Sequence, residues 1–222
     1  MPHHGAGSAT EPPQTTGSVI HWARWYDLAS WLMSFGREPA IRRETVKLAA
    51  IQSGESVLDV GCGTGRLTLA ARRRAGAGPV RGIDASGEMI EVARRKASEK
   101  GADVDFQVAL IEDIPFPDGT FDVVLSSLML HHLPDDLKRK GFAEVRRVLK
   151  PGGRLLAVDL AGSKGIFGLL MRLIGHKLGA DYVERLKAMA AEAEFGTVET
   201  GPMHNGLAYV RAIKSGTSEE VS

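Results

Sequence analysis

The residues best suited to chemistry are a carboxylate and three alternate glycines, Asp59-Val60-Gly61-Cys62-Gly63-Thr64-Gly65. A second carboxylate, Asp84, follows about 20 positions later. Glycines at such a spacing let main chain take left-handed turns and come close to a ligand. An acid at the distance of Asp84 can accept hydrogen bonds from the two hydroxyls of a ribose, although an N-cap or a surface charge is the plainer alternative. The spacing Gly61-x-Gly63-x-Gly65 departs from the G-x-G-x-x-G that admits a pyrophosphate, and Asp59 beside the turn repels phosphate. It suits the ammonium end of an amino acid, so the pattern favours an adenosyl amino acid over a nicotinamide dinucleotide. Cys62 inside the turn reads as a small, soft filler rather than a nucleophile. Further along, His131 and His132 are the candidates for proton transfer at neutral pH. The plainer alternative is that one of them orders its loop.

These residues need elements to place them. From residue 56 the chain alternates apolar, β-rich runs with helical patterns, which argues a doubly wound parallel sheet. The expected strands are 56–60, 80–83, 104–108, 121–126 and 154–160, with helices over 64–74, 86–100 and 135–149. Ser86 reads as an N-cap ahead of Met89, Ile90, Val92 and Ala93. Pro151-Gly152-Gly153 reads as a turn launching the fifth strand, and 197–200 with 207–213 as a closing hairpin. In such sheets ligands sit at the carboxyl ends of strands. That rule gathers Asp59, the glycines, Asp84, the 110–113 stretch, Ser126-Ser127-Leu128 and the histidine pair on one rim.

With those motifs in place the chain resembles the class I S-adenosylmethionine-dependent methyltransferases. VLDVGCGTGRL is similar to the family's first motif and the Asp84 of GIDAS to its ribose-binding acid. IEDIPFPDGTFDVVLSSLMLHHL and LKPGGRLLAVDL resemble the small-molecule branch typified by ubiquinone/menaquinone-biosynthesis-like enzymes. The likeness runs from about Tyr26 to Lys214. It implies a Rossmann-like α/β fold: a seven-stranded sheet, mostly parallel with the last strand antiparallel, and helices on both faces. It implies S-adenosyl-L-methionine as cofactor, S-adenosyl-L-homocysteine as product, and methyl transfer by in-line displacement. Carried over by position, Gly61, Cys62 and Gly63 pass under the methionine part, and Asp59 orders the turn and the ammonium. Asp84 holds the ribose, Ala85 and Met89 lie against ribose and adenine, and Ile111 and Glu112 flank the adenine. Tyr26 joins the cofactor set, and Ser126, Ser127 and Leu128 close over the methionine moiety. In one respect the chain departs from the family. Leu110 stands where an aspartate usually accepts the adenine amino group, so Glu112, Asp113 or a main-chain carbonyl must substitute.

Composition narrows the rest. Across 222 residues, 28 basic and 27 acidic side chains leave a net charge of +1, which offers nucleic acid no attractive field. Aromatics are 6%, without the basic-aromatic alternation of a nucleic-acid platform. The sole cysteine excludes an intramolecular disulfide and a cysteine-rich zinc site, and no metal ligand set is evident. No run reaches the ~20 apolar residues of a membrane span, so a cytoplasmic protein is expected. Residues 1–18 read as a disordered leader, 19–214 as one methyltransferase domain and 215–222 as a loose tail. Within that domain, 19–50 form a helical cap and 161–194 a helical insert near the acceptor pocket. The aromatic 19–35 helix and the apolar 165–178 segment together favour a lipophilic or aromatic small-molecule acceptor. That segment also allows a homodimer contact, a core helix or a membrane-surface helix. Rival readings are a catalytically silent S-adenosylmethionine-binding protein and an NAD-linked oxidoreductase.

Overall fold

The structure, a computed structural model, describes residues 38–161 and 181–216. Seven strands make one sheet: β1 (Val57–Val60), β2 (Val80–Asp84), β3 (Asp105–Val108), β4 (Phe121–Ser127), β5 (Leu149–Leu160), β6 (Thr197–Met203) and β7 (Leu207–Ile213). The described helices are α1 (Glu38–Ala49), α2 (Arg66–Ala75), α3 (Gly87–Glu99), α4 (Asp135–Val148) and α5 (Tyr182–Glu192). The spatial order is β3-β2-β1-β4-β5-β7-β6. Pairings from β3 across to β5 are parallel, and β7 runs antiparallel to both its neighbours. The mostly parallel sheet with a reversed last strand is thus the one expected.

β1 is central, and a strand covered on both faces must be apolar almost throughout. Val57, Leu58 and Val60 are at most 1% exposed, and so is Asp59. Leu58 and Val60 pack with Val124, Phe142, Val145 and Leu186 on the face covered by α4 and α5. Val57 packs with Ala71, Val123 and Leu125 on the opposite face, under α1 and α2. On that side α3 brings Ile90 and Ala93 against Leu69, Cys62 and Phe106. Each large side chain so buried is worth ~1.5–3 kcal/mol.

The chain lays down β1, β2 and β3 toward one edge, then returns to pair β4 with β1 on its other side. This reversal is where a crevice opens at the carboxyl ends of the strands. Val60 pairs with Ile83 on one side and Ser126 on the other, so three strand ends converge there.

Three local readings are corrected. α2 starts at Arg66 rather than 64, because Gly61, Gly63 and Gly65 all hold positive φ (68, 53 and 76°). Pro151-Gly152-Gly153 lies inside β5, not before it: α4 passes directly into Leu149, and the β4–β5 register shifts between Phe121 and Val123. Gly152 N–H donates to the Lys214 carbonyl, which anchors the bulged stretch. β6 also continues beyond 200, since Gly201 and Pro202 stay paired with Tyr209 and Ala208. Pro is tolerated on this edge strand. At Gly201 an added Cβ would meet the Tyr209 ring at 2.6 Å. The 1–18 leader, the 19–35 helix with Tyr26, the 165–178 segment and most of the tail lie outside the described residues.

Candidate active site

The glycine turn is held from within. Ile83 O accepts from Gly61 N–H (2.8 Å) and Cys62 N–H (3.0 Å), and Cys62 O accepts from Gly65 N–H. Gly63 N–H donates to Asp84 Oδ2 at 2.8 Å. With these donors spent inside the protein, the turn is no nest for a pyrophosphate, which agrees with the spacing argument. Gly61 is steric: an added Cβ would sit 2.4 Å from Met129 Cγ. Gly63 differs, because its Cβ direction meets nothing within 4 Å among the described residues. Open space over a left-handed glycine is a cradle that a side chain would fill. Cys62 is buried against Phe106 and Leu69, and burial pushes its thiol well up, so it is no thiolate nucleophile at neutral pH.

Two carboxylates line the base of this turn. Asp59 is 1% exposed and accepts from Thr68 Oγ1 at 2.6 Å. Burial raises its pKa to about 7; the Thr68 hydroxyl opposes the shift and the Asp84 charge adds to it. Asp84 is raised too, mainly by burial, while N–H groups of Ser86 and Gly63 pull the other way. A buried acid and a half-buried one, close enough that the Asp84 charge disfavours that of Asp59, form a site that a cation stabilises. Asp84 Oδ1 takes Ser86 N–H at 2.9 Å, so this residue orders both the glycine turn and the start of α3. The helix-start duty is close to the N-cap alternative weighed for Asp84, whereas sequence reasoning missed Thr68 altogether. Ser86 is the expected N-cap, accepting from Met89 N–H at 3.4 Å. Met89 is 3% exposed in the first turn of α3, and Ala85 is half-buried before it.

On the neighbouring rim, Leu110 is half-buried and bridges to Asp113. Ile111 sends its side chain into the core, where an added Cβ on Gly141 would meet Ile111 Cδ1 at 2.8 Å. Its backbone remains for the rim. Glu112 is half-buried and Asp113 exposed. Across the crevice, Ser126 Oγ is buried without a hydrogen-bond partner among the described residues, and Ser127 and Leu128 are half-buried. An orphaned buried hydroxyl at a strand end is a group awaiting a ligand or water. Leu128 holds a left-handed φ of 54° while its N–H donates to Val158 O at 2.8 Å. The turn it makes sends Met129 back against Gly61 and carries the chain on to His131.

His131 stands on a carboxylate that the sequence reading overlooked. Its Nδ1 lies 2.6 Å from Asp159 Oδ1, and its backbone N–H donates to Asp159 Oδ2 at 3.0 Å. Tyr182 Oη donates to the same Oδ2 at 3.2 Å. The His132 ring packs on His131 with centroids 3.9 Å apart. Asp159 is legible only through the rule that found Asp59, an acid near the carboxyl end of an apolar strand.

Comparison with known proteins adds to this geometry. Residues 57–153 match the model of a methyltransferase domain. The chain is 40% identical over 149 residues to the demethylmenaquinone methyltransferase of Thermus thermophilus, covering 67% of each chain. It is 37% identical over 167 residues to the ubiquinone/menaquinone biosynthesis C-methyltransferase UbiE of Francisella tularensis subsp. novicida, covering 73% of this chain and 65% of that one. The matched stretch thus spans about two thirds of these relatives. It is 34% identical over 205 residues to the demethylmenaquinone methyltransferase of Listeria monocytogenes, covering 85% and 84%. In fold it resembles a Haloferax volcanii methyltransferase solved with the Trm112 activator (TM-score 0.70, 20% identity, 89% and 100% covered). A SAM-dependent methyltransferase from Aquifex aeolicus gives a TM-score of 0.63 at 23% identity, with 78% and 89% covered.

Proposed function

The chain belongs to the class I S-adenosylmethionine-dependent methyltransferase family, and from that premise we propose that it methylates a quinol-type aromatic small molecule. The observation that carries the cofactor half is the open space over Gly63, whose N–H donates to Asp84, at the strand ends that also carry Asp59 and Ser126. An adenosyl amino acid fits it, having a cationic end for Asp59 and ribose hydroxyls for the unused lone pairs of Asp84. In this reading Gly61, Cys62 and Gly63 underlie the methionine part and Ser126–Leu128 face it. Ala85 and Met89 border the ribose and adenine, with Leu110, Glu112 and the Ile111 backbone beyond them. Tyr26 stays in the proposal from the resemblance alone. When bound, the cofactor supplies an electrophilic methyl group. The protein's part is to align the acceptor and keep water out.

The acceptor half rests on the relatives, two of them named for demethylmenaquinone and one as a C-methyltransferase. An electrophilic methyl needs an electron-rich partner, so the acceptor is the reduced, hydroxyl-bearing ring rather than the quinone. His131 and His132 lie on the rim beside it. A single domain over 19–214 acting in the cytoplasm completes the reading, supported by its one free, buried thiol. No described helix is long and apolar enough to cross a membrane. Neither a silent binding protein nor an NAD-linked oxidoreductase is favoured, since the named relatives are methyltransferases.

Calorimetric titration with S-adenosylhomocysteine and NAD tests the first half, and methyl-labelled cofactor with reduced short-chain demethylmenaquinone the second. Homocysteine-product binding with label entering the ring is expected. Binding of NAD alone overturns the reading.

A further inference from the structure

We propose that the purine end of the cofactor is held by apolar side chains alone, Val108 and Leu110 with Ala85 and Met89. No polar group then reads the 6-position of the ring, and the chain accepts adenosyl ligands altered there. The inference rests on the methyltransferase reading above and sets the base specificity of that same site.

The sugar fixes where the base falls. Asp84 Oδ2 takes Gly63 N–H (2.8 Å) and Oδ1 takes Ser86 N–H (2.9 Å). A carboxylate has about four acceptor positions, so about two remain for the two ribose hydroxyls. With the amino acid end over the β1 turn, the base leaves the sugar on the opposite side, toward β3. That strand is the next one out, ~4.8 Å away. Val108 pairs with Asp84 in the β2–β3 register, and Ala109 N–H donates to the Asp84 carbonyl at 3.1 Å. Leu110 follows two residues past that pairing.

What the base meets there is apolar. Val108 is 39% exposed, the one large apolar side chain so exposed among the described residues. A Cβ added at Gly87 would lie 4.0 Å from Val108 Cγ2, so Val108 reaches the first turn of α3, where Met89 is buried. Leu110 is half-buried between Ala109 and Ile111, whose side chains both turn into the core. Ala85, also half-buried, adjoins Asp84. Glu112 and Asp113 belong to the tight turn beyond, where Asp113 N–H closes on the Leu110 carbonyl (3.4 Å). β3 is also an edge of the sheet, so a base lying on Val108 keeps its polar rim toward water. Adenine and hypoxanthine offer opposite donor and acceptor patterns at positions 1 and 6. A polar reader of one leaves unpaired groups facing the other and rejects it by ~10–100-fold. Apolar contact with the ring is the same for both.

Calorimetric titration with S-adenosylhomocysteine and with S-inosylhomocysteine, its 6-oxo counterpart, reads the difference without turnover. Kd values within ~3-fold of each other are expected for wild type. Val108→Ser, at an exposed edge position, should weaken both by ~3–10-fold and leave their ratio unchanged. Leu110→Asp supplies a carboxylate for the amino group and should favour adenine by ~10-fold or more. A wild-type ratio above ~3-fold overturns the proposal, because a polar group of the 110–113 turn then reads the ring. A Leu110→Asp ratio like that of wild type overturns it too, as does Val108→Ser binding both ligands as wild type does. Failure of wild-type protein to bind either ligand overturns the methyltransferase reading instead, so the two failures are distinct.

Discussion

Asp59 sits where a carboxylate is costly, fully enclosed between β1 and α2, and a site keeps such a residue only where its charge is used. Its folded pKa of about 7 lies above the ordinary value of 3.8 for an aspartate, chiefly through burial. A raised acid binds its proton more tightly when folded, so unfolding becomes easier as pH rises from about 4 to 7. Asn can still accept from Thr68 Oγ1 and carries no charge. Asp59→Asn is therefore expected to stabilise the ligand-free protein by ~1–3 kcal/mol at pH 8 and by nothing near pH 4. Urea denaturation at both values checks this. The same variant should bind S-adenosylhomocysteine at least ~10-fold more weakly. Leu110 makes the opposite case. With the adenine amino group placed over position 110, Leu110→Asp should tighten binding by ~3–10-fold, one charge-assisted hydrogen bond's worth, in calorimetry.

At the scale of elements, the turn between β1 and α2 divides its glycines by task. Gly61→Ala combines a left-handed φ with a Cβ driven into Met129, and should cost ~2–4 kcal/mol in thermal unfolding. Gly63→Ala meets no atom, so it should cost only ~1 kcal/mol of strain yet weaken S-adenosylhomocysteine by ~10-fold or more. Equal binding by wild type and Gly63→Ala would remove the ligand from the cradle. This turn was legible because its glycine spacing and apolar strand are local signals. What was not legible depends on partners distant in sequence. Gly201-Pro202 reads as loop until Tyr209 lies across it, and Pro151-Gly152-Gly153 as a turn until Lys214 pairs with it. Asp159 hides in an apolar strand until β4 brings His131 back across it. The inward turn of the Ile111 side chain was not legible, because nothing nearby announces Gly141.

For the whole molecule, a net charge of +1 leaves no long-range field, so recognition of a cationic amino acid end must be local to the paired acids at the switch point. Ligand binding and global stability then share one proton. An ammonium beside Asp59 lowers the pKa that burial had raised, so binding releases hydrogen and strengthens as pH climbs toward 7. Above roughly 8 the ligand's own α-amino group begins to lose its charge. S-adenosylhomocysteine at ~100 times its Kd adds about 2.7 kcal/mol, or ~5–10 °C of Tm for a chain of this size. At one fixed ligand concentration that shift should grow from pH 5.5 to 7.5 in wild type and stay level in Asp59→Asn. Differential scanning fluorimetry across that range measures it, with NAD as the contrasting ligand. A wild-type shift independent of pH would mean that the ammonium and the buried acid do not meet. The cradle would then hold its ligand by the ribose and the main chain alone.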